Sequence, residues 1–311
     1  MNREALSSAI KKKAVESGFD ACGIASAGKL DKEEAFLKTW LDNGLNASMK
    51  FMENHFEKRV NPQELVPGAK SIISVVHNYY PEKQQQSGVP KIARYAYGKD
   101  YHYVIKDKLK ALLKYINDDL QPCSGRVFAD SAPVLERAWA AKSGIGWIGK
   151  NTNLIVPNKG SYFFIGEIIL DIELEYDSAI EDRCGSCTKC LQACPTNALV
   201  TPYRLDSNRC ISFQTIENRA EIPEKFKGVF QDWVFGCDIC QEVCPWNNFS
   251  KPTAESAYKP KEEFMNLSFD DWLNIDIEGY KRLFSGTAVE RTKYPGLKRN
   301  LKFIKDSGQL K

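Results

Sequence analysis

The sequence predicts an α/β or α+β fold in which a layered domain is followed by a small cysteine-rich domain. Two observations predict the layered domain: apolar residues recur at helical spacing in several segments, and runs rich in β-branched and aromatic residues alternate with those segments. The third observation is that eight of the ten cysteines lie between Cys184 and Cys244. With 311 residues, of which 43% are hydrophobic, the chain can form two domains with a real core.

The elements follow from these patterns in chain order. Residues 1–60 are predicted as helices, because apolar residues repeat at helical intervals and Gly44 is a stop signal. Further helices are predicted at 100–120 and 134–144, and short ones in the FDDWLNI and EGYKRLF segments near the C-terminus. Strands are predicted at 71–80, 126–130, 153–156 and 161–170. We expect three regions: residues 1–175, 176–255 and 256–311.

Composition excludes several classes of protein. The formal charge of +3 is too small to indicate a partner. The longest apolar run, 161–170, is too short to span a bilayer and carries Glu167. The N-terminus lacks the apolar region of a signal peptide. We therefore expect a cytoplasmic protein without a membrane partner, and in that reducing compartment the cysteines indicate metal binding rather than disulfides.

The cysteine spacing predicts two [4Fe–4S] clusters. The segment CGSCTKCLQACP (184–195) has the C-x2-C-x2-C-x3-C-P order of one half of a two-cluster ferredoxin, and CDICQEVCP (237–245) repeats its last part. In such ferredoxins the cysteine before the proline ligates the other cluster. This rule assigns cluster 1 to Cys184, Cys187, Cys190 and Cys244. It assigns cluster 2 to Cys194, Cys237, Cys240 and, as the remaining nearby cysteine, Cys210, although 26 residues separate Cys210 from Cys237.

Two zinc sites would explain the number of cysteines but not their order. Cys22 and Cys123 lie far from the motifs and are predicted to be buried thiols. Two neighbouring clusters conduct single electrons, so the protein needs an electron donor such as flavodoxin or ferredoxin. We expect the electrons to end in the upstream domain.

The upstream domain offers few conventional catalytic motifs. GIGWIG (144–149) matches G-x-G-x-x-G, but it follows a helix and leads into a strand, the reverse of a dinucleotide site. The preferred interpretations are a tight turn or close approach of the backbone to a flat ligand. Only three histidines are present, and His102 is predicted to pack at a helix N-terminus.

Asp130 is the strongest catalytic candidate in this domain. It follows a predicted strand and precedes a predicted helix, at the edge where layered domains bind ligands. Its carboxylate is either the N-cap of that helix or a general acid whose pKa is raised by partial burial.

Taken together, the motifs resemble those of the epoxyqueuosine reductase family. The matching segments are LVPGAKSII (65–73), ARYAYGKDYH (93–102), DSAPVLERAWAAKSGIGWIGKNTNLI (130–155), GSYFFIGEI (160–168) and CPWN (244–247), together with the eight clustered cysteines. The resemblance implies a nitroreductase-like cobalamin domain, as in reductive dehalogenases, followed by the two-cluster domain. It also implies cobalamin bound base-off and reduction of epoxyqueuosine to queuosine at the wobble position of tRNA.

The resemblance further implies roles for single residues. Asp130 matches the proton donor of the family. Cobalamin contacts are implied for Arg59, Arg94, Asp130, Ser212, Cys237 and Asp238, and a tRNA contact for Arg219. Many family members carry a C-terminal helical-repeat extension that is missing after Lys311. The segment 291–311 has seven Lys or Arg against one acidic residue, which is either a tRNA-binding surface or a solvated face.

Two other functions remain open at this point. One is a dehalogenase-like reductase of a small molecule that uses the same cofactors. The other is a ferredoxin-type electron-transfer subunit, which would bind no cobalamin. We expect a monomer.

Overall fold

The structure, a computed structural model, describes residues 1–308 of the chain; the last three residues of the basic segment lie outside the described residues. Ten strands are present in this part: β1 (Ala21–Ser26), β2 (Ser71–Asn78), β3 (Lys91–Ile92), β4 (Gly125–Phe128), β5 (Trp147–Ile148), β6 (Leu154–Ile155), β7 (Phe163–Leu170), β8 (Leu199–Thr201), β9 (Arg204–Leu205) and β10 (Trp233–Phe235).

Twelve α-helices are present among the described residues. They are α1 (Arg3–Glu16), α2 (Asp31–Asp42), α3 (Phe56–Val60), α4 (Tyr101–Tyr115), α5 (Glu136–Lys142), α6 (Lys189–Ala193), α7 (Ile211–Ile216), α8 (Ile239–Glu242), α9 (Glu262–Met265), α10 (Phe269–Asn274), α11 (Ile277–Phe284) and α12 (Lys293–Asp306). A π-helical turn, Ile116–Leu120, extends α4 up to the segment that contains Pro122.

The main sheet has four strands in the order β1-β2-β7-β4, and every neighbouring pair is antiparallel. The side chains of β2 are buried along almost its whole length because both faces of the sheet are covered. On one face α1 and α4 bury Ile10 and Leu109 in a core that includes Ile73 of β2. On the other face Trp139 of α5 packs with Phe128 of β4. The antiparallel order makes the domain α+β rather than parallel α/β.

Most predicted elements of this domain are present, but β1 was not predicted. Its sequence, ACGIAS, consists mainly of small residues and lacks the β-branched pattern that marks β2. Gly23 explains the composition, because a Cβ atom at this position would collide with the Ser143 carbonyl oxygen at the end of α5. Close packing of a helix end on this strand therefore requires the small residues.

The cysteine-rich part consists of loops and short elements. Helices α6 and α8 follow corresponding cysteines in the two runs and pack against each other. Strand β10 pairs in parallel with β3, which joins this part to the upstream domain. The C-terminal helices α10–α12 cover the same junction, where Trp272 and Leu301 pack in one core with Phe235 and Tyr97.

None of the helices within residues 1–308 is long and apolar enough to cross a membrane.

Candidate active site

Asp130 lies at the end of β4 and not at the beginning of the next helix. Helix α5 starts at Glu136 with Leu135 as its N-cap, so the N-cap interpretation of Asp130 is wrong. The backbone of Asp130 is left-handed, with φ of 54°, which is uncommon for a residue other than glycine. The turn directs its side chain outward, and 56% of that side chain is exposed.

Three neighbours hold Asp130 in this position. The Tyr101 hydroxyl donates a hydrogen bond to its carboxylate, and Nε2 of His102 lies 3.4 Å from the same oxygen. The Asp130 backbone amide donates to Oε1 of Glu136. His102 is itself oriented by Asp100, whose Oδ1 lies 2.6 Å from Nδ1 of the imidazole. The arrangement is an aspartate and histidine pair whose aspartate side chain is exposed.

The ionisation of this pair differs from the sequence-based expectation. Burial by the surrounding protein alone would raise the pKa of Asp130, but hydrogen bonds from His102 and Tyr101 lower it below its ordinary value. Burial alone would lower the pKa of His102, but hydrogen bonds to Asp100 and Asp130 raise it to about 9. The prediction of a raised Asp130 pKa is therefore wrong, and at neutral pH the shared proton resides on His102.

Two further carboxyl groups lie behind Asp130. Burial and the neighbouring charge of Asp130 raise the pKa of Glu136 to about 8. Glu167, in the interior of β7, has no exposed surface, and neither of its oxygens has a hydrogen-bond donor among the described residues. Burial and the nearby carboxylates of Glu136 and Asp130 raise the pKa of Glu167 well above its ordinary value. The carboxyl groups of Asp130, Glu136 and Glu167 thus influence one another between the exposed side of Asp130 and the interior of the sheet.

Several of the eight clustered cysteines lie close enough to influence one another. Burial is the first cause of the raised pKa of six of these thiols, and charged neighbours raise it further; the six are Cys184, Cys190, Cys210, Cys237, Cys240 and Cys244. For Cys190 and Cys244 those neighbours include Cys184, and for Cys244 also Cys187. In the second predicted set, Cys194 raises the pKa of Cys210. Cys210 and Cys240 raise the pKa of Cys237. Cys210 and Cys194 raise the pKa of Cys240. Cys190, of the first predicted ligand set, also raises the pKa of Cys240, so the two predicted sets lie next to each other.

The surroundings of the thiols fit iron–sulfur clusters. The backbone amide of Ala198 donates to Sγ of Cys194 at 3.3 Å. Backbone amides also lower the pKa of Cys244 and Cys210 against the effect of burial. Such N–H groups favour thiolates and tune cluster potentials. A cavity of about 400 Å³, lined by the four cysteines of the first predicted set together with Lys150 and Trp246, opens beside them.

An aromatic chain joins the Asp130 region to the second predicted set of cysteines. The ring of Tyr101 meets that of Tyr95 edge-on, with 6.3 Å between centroids, and Tyr95 packs against Phe235 at 6.0 Å. Phe235 lies two residues before Cys237. Ring contacts therefore run from Tyr101, which is bonded to Asp130, to a residue two positions before Cys237.

The other residues implied as cobalamin contacts lie in different surroundings. The guanidinium of Arg59 bonds to the Phe51 carbonyl oxygen, and that of Arg94 bonds to Asp238 at 3.0 Å. Each arginine keeps a buried Nε without a partner in the described part of the chain. Ser212 is half-buried, and its backbone and side chain lower the pKa of neighbouring Cys210 against the effect of burial.

Arg219 makes its contacts within the chain. Its guanidinium donates to the carbonyl oxygens of Arg291, at 2.9 Å, and Thr292, at 3.4 Å. These bonds attach the insertion between Cys210 and Cys237 to the C-terminal segment.

The glycines of the G-x-G-x-x-G match form no phosphate site. Gly144 has φ of 75° and terminates α5, and a Cβ at Gly146 would collide with the Ile155 carbonyl oxygen in the hairpin β5–β6. The prediction of a tight turn is confirmed at Gly144, and the close approach at Gly146 is to the protein backbone.

Sequence reasoning missed Tyr101, His102, Glu136 and Glu167 as parts of this site. His102 was assigned to packing, and it does lie in the first turn of α4. A polar residue such as Glu167 in an otherwise apolar strand was the available signal, because a buried carboxyl without a counter-charge is costly.

Comparison with known proteins gives matches along the whole chain. Residues 59–131 match the family described as epoxyqueuosine reductase QueG, DUF1730, and residues 183–247 match the 4Fe-4S double cluster binding domain. A curated epoxyqueuosine reductase from Cellulophaga algicola is 52% identical over 303 residues, which cover 97% of this chain and 99% of that protein.

Solved structures agree. A crystal structure of epoxyqueuosine reductase with an epoxyqueuosine-modified tRNA-Tyr stem loop matches with a TM-score of 0.88 and 31% identity, over 97% of this chain and 81% of that one. The catabolic reductive dehalogenase NpRdhA matches with a TM-score of 0.50 and 16% identity, over 96% of this chain and 38% of that one, which indicates a shared fold. The predicted resemblance, fold class and two-cluster domain are confirmed.

Proposed function

The chain belongs to the epoxyqueuosine reductase family, and we propose that it reduces epoxyqueuosine to queuosine in tRNA with electrons delivered through two [4Fe–4S] clusters to a bound cobalamin. The observation that carries the proposal is the connection from Asp130 through Tyr101, Tyr95 and Phe235 to Cys237. It links the proposed proton donor to the second set of proposed cluster ligands.

The ligand sets proposed for the clusters are those indicated by spacing. Cys184, Cys187, Cys190 and Cys244 hold the first cluster, and Cys194, Cys210, Cys237 and Cys240 hold the second. The mutual influence of the thiols within each set supports this assignment. We assign the second cluster to the side that faces Asp130, which the packing of Tyr95 on Phe235 supports.

When bound, cobalamin supplies a strongly reducing, nucleophilic cobalt centre. In this chain Arg59 and Arg94 can each offer a buried Nε–H to the cofactor, and Ser212 and Asp238 lie beside the second cluster ligands. These residues fit the predicted contact set. No histidine is needed on cobalt in the proposed base-off state.

Asp130 is the proposed proton donor to the epoxide oxygen. Reducing an epoxide to an alkene breaks two C–O bonds and consumes two electrons and two protons, with water as the second product. Protonation makes the oxygen a better leaving group. The position of Asp130 supports this role because its side chain is exposed, and His102 carries a proton within 3.4 Å of its carboxylate.

We further propose the partners. The substrate is tRNA, gripped by Arg219 and the basic residues of the 291–311 segment, of which Lys293, Lys302 and Lys305 are exposed. A low-potential donor such as flavodoxin or ferredoxin delivers electrons in the cytoplasm to the monomeric enzyme. Arg183 and Lys189 are exposed beside the cavity that the first set of cysteines lines. Their positive charges favour docking of an acidic electron carrier.

The test is anaerobic reconstitution with iron, sulfide and cobalamin, followed by incubation with epoxyqueuosine-containing tRNA and a strong reductant. We expect conversion to queuosine, measured by mass spectrometry of the digested nucleosides. Protein that carries both cofactors but leaves epoxyqueuosine unchanged would disprove the proposal. A parallel incubation with a halogenated phenol tests the dehalogenase alternative. Failure to bind cobalt would favour the electron-transfer subunit.

A further inference from the structure

One hairpin of the upstream domain contacts both sets of proposed cluster ligands. It consists of residues 147–155, in which β5 and β6 pair in antiparallel fashion around a short loop. We call this segment the bridging hairpin. Its loop residues bond to both cysteine runs, to the first through Lys150 and to the second through Asn151.

Lys150 places a positive charge on the loop of the first ligand set. Its ammonium group donates hydrogen bonds to the carbonyl oxygens of Gly185 and, at 3.0 Å, Cys187. Lys150 also lines the cavity beside the four cysteines of that set. A nearby cation favours the reduced form of an iron–sulfur cluster, because reduction adds a negative charge to the cluster.

Trp147 brings a buried N–H group to the same ligand set. The residue is only 3% exposed and lies in a small core with Ile155 and Cys244, against which Cys184 packs. Nε1 of its indole has no acceptor among the described residues. The side chains of this core offer no acceptor apart from cysteine sulfur. A buried unpaired donor in these surroundings fits a site in which cluster sulfur is the acceptor.

The rest of the loop contacts the second ligand set. Nδ2 of Asn151 donates to the Cys240 carbonyl oxygen at 3.1 Å, and Asn151 is only 4% exposed, so this bond fixes the loop on the second cysteine run. Nδ2 of Asn153 lies 4.0 Å from Sγ of Cys240. Asn153 therefore offers an uncharged N–H group to a ligand sulfur, whereas Lys150 offers a full charge.

We propose that the bridging hairpin sets the reduction potentials of the two clusters, with Lys150 and Trp147 acting on the first cluster and Asn153 on the second. The inference rests on the proposed function, because it takes the two proposed ligand sets as given. All three are positioning residues, since they act on the substrate only through the clusters. Lys150 makes the largest contribution because it is charged, and it makes the first cluster easier for an incoming carrier to reduce.

The test is a redox titration of the reconstituted holoenzyme, followed by electron paramagnetic resonance. We expect Lys150→Met to lower the potential of the first cluster and leave the second unchanged. At a fixed solution potential its oxidised-to-reduced ratio should rise by about threefold to tenfold, which is about 30–60 mV for a one-electron couple. A Cys210→Ser variant, expected to hold the first cluster alone, identifies the signal of that cluster.

Lys298→Met is the matched control. Lys298 is half-buried like Lys150, and its ammonium group also donates to a backbone carbonyl oxygen, that of Leu273 at 2.7 Å. This bond lies among the C-terminal helices and involves neither cysteine run. The variant should therefore leave both potentials unchanged.

Two further substitutions at Lys150 separate its charge from its hydrogen bonds. Lys150→Gln keeps an N–H donor without the charge, and Lys150→Arg keeps both. We expect the glutamine variant to shift the first cluster as Lys150→Met does, and the arginine variant to keep the wild-type potential. A residue that only anchors the loop would give the wild-type potential in the glutamine variant as well.

The neutral donors have smaller expected effects. Trp147→Phe keeps a ring but removes the N–H group, and it should lower the potential of the first cluster alone. Asn153→Leu should lower that of the second cluster alone. We expect each to change the corresponding oxidised-to-reduced ratio by about twofold to threefold.

An unchanged first cluster in Lys150→Met or Lys150→Gln, or an unchanged second cluster in Asn153→Leu, would overturn the inference. Wild-type protein that assembles both clusters and cobalamin but forms no queuosine would overturn the proposed function instead. The two failures are distinguishable, because the potentials are measured without substrate.

Discussion

The charge state of Asp130 depends on two neighbours in α4, Tyr101 and His102. A carboxylate that accepts hydrogen bonds from a phenol and an imidazolium is stabilised in its ionised form, even in a protein cleft. Burial works in the opposite direction but does not prevail. Asp130 therefore acts as the deliverer of a proton that His102 holds, rather than as an isolated acid with a raised pKa.

Replacing Asp130 with asparagine tests the delivery step. The amide oxygen can still accept the Tyr101 hydrogen bond, but no acidic proton is available, so we expect the conversion of epoxyqueuosine to slow by about 10²–10⁴-fold with cobalamin binding retained. The measurement is single-turnover kinetics followed by nucleoside mass spectrometry. Ser131→Ala, a change at the adjacent exposed residue, is the control and should leave the rate unchanged. Equal rates for Asp130→Asn and wild type would remove Asp130 from the mechanism.

The raised pKa of His102 also predicts a pH-dependent contribution to stability. Its ordinary value of 6.5 rises to about 9 in the fold, so the stabilisation is complete below about pH 6.5 and is lost as the pH rises through 9. The shift corresponds to about 3 kcal/mol, which solvent on the exposed side of Asp130 reduces to about 1–2 kcal/mol.

Urea unfolding of wild type and His102→Gln at pH 6 and pH 10 measures this contribution. The difference between the two free energies of unfolding should be larger at pH 6. A difference that stays constant across the two conditions would contradict the assignment of the proton to His102.

At the scale of the elements, the pairing of β3 with β10 connects the upstream domain to the cysteine-rich part, together with contacts of the adjacent loops. Arg94 follows β3, and its guanidinium bonds to Asp238, which lies in the second cysteine run. Asp238 is only 2% exposed, and burial raises its pKa to about 6 although Arg94 opposes this. Near pH 8 the pair is ionised and holds the second cluster ligands against the upstream domain.

Removing Arg94 leaves Asp238 buried without its counter-charge. We expect Arg94→Met to lower the free energy of unfolding by about 3–5 kcal/mol. Arg126→Met is the matched control, because Arg126 is exposed, donates a hydrogen bond to the Leu65 carbonyl oxygen and otherwise lies over the Phe128 ring. We expect a loss of no more than about 1 kcal/mol. Anaerobic urea unfolding of the holoenzyme at pH 8 gives both values. Similar losses in the two variants would show that the Arg94 and Asp238 pair does not hold the joint.

For the whole molecule, sequence reasoning succeeded where the signal is local. The strands at 71–78 and 163–170 have continuous apolar runs, and the cysteine order is a spacing pattern, so both were predictable. The site around Asp130 was only partly predictable, because the pairing of two strands brings its residues together. Glu167 is 37 residues from Asp130 in sequence and approaches it only because β7 pairs with β4, whose end carries Asp130. Neither propensity nor motif spacing contains that pairing.

At the scale of the whole molecule, we propose that electrons pass from the first cluster to the second and then to the Asp130 region. Replacing Cys210 tests this order. Serine is a poor cluster ligand, so Cys210→Ser should lose the second cluster and retain about four of about eight iron atoms. The proposed second cluster is the one connected to the Asp130 region through Phe235 and Tyr95. This variant should therefore still accept electrons from a donor but form no queuosine. Iron analysis, electron paramagnetic resonance of the reduced protein and nucleoside analysis measure these outcomes. Cys123→Ser is the control and should keep both clusters and full activity, since Cys123 lies among the residues that pack against the core of the upstream domain. A Cys210→Ser protein with eight irons and wild-type turnover would mean that another group completes the second cluster.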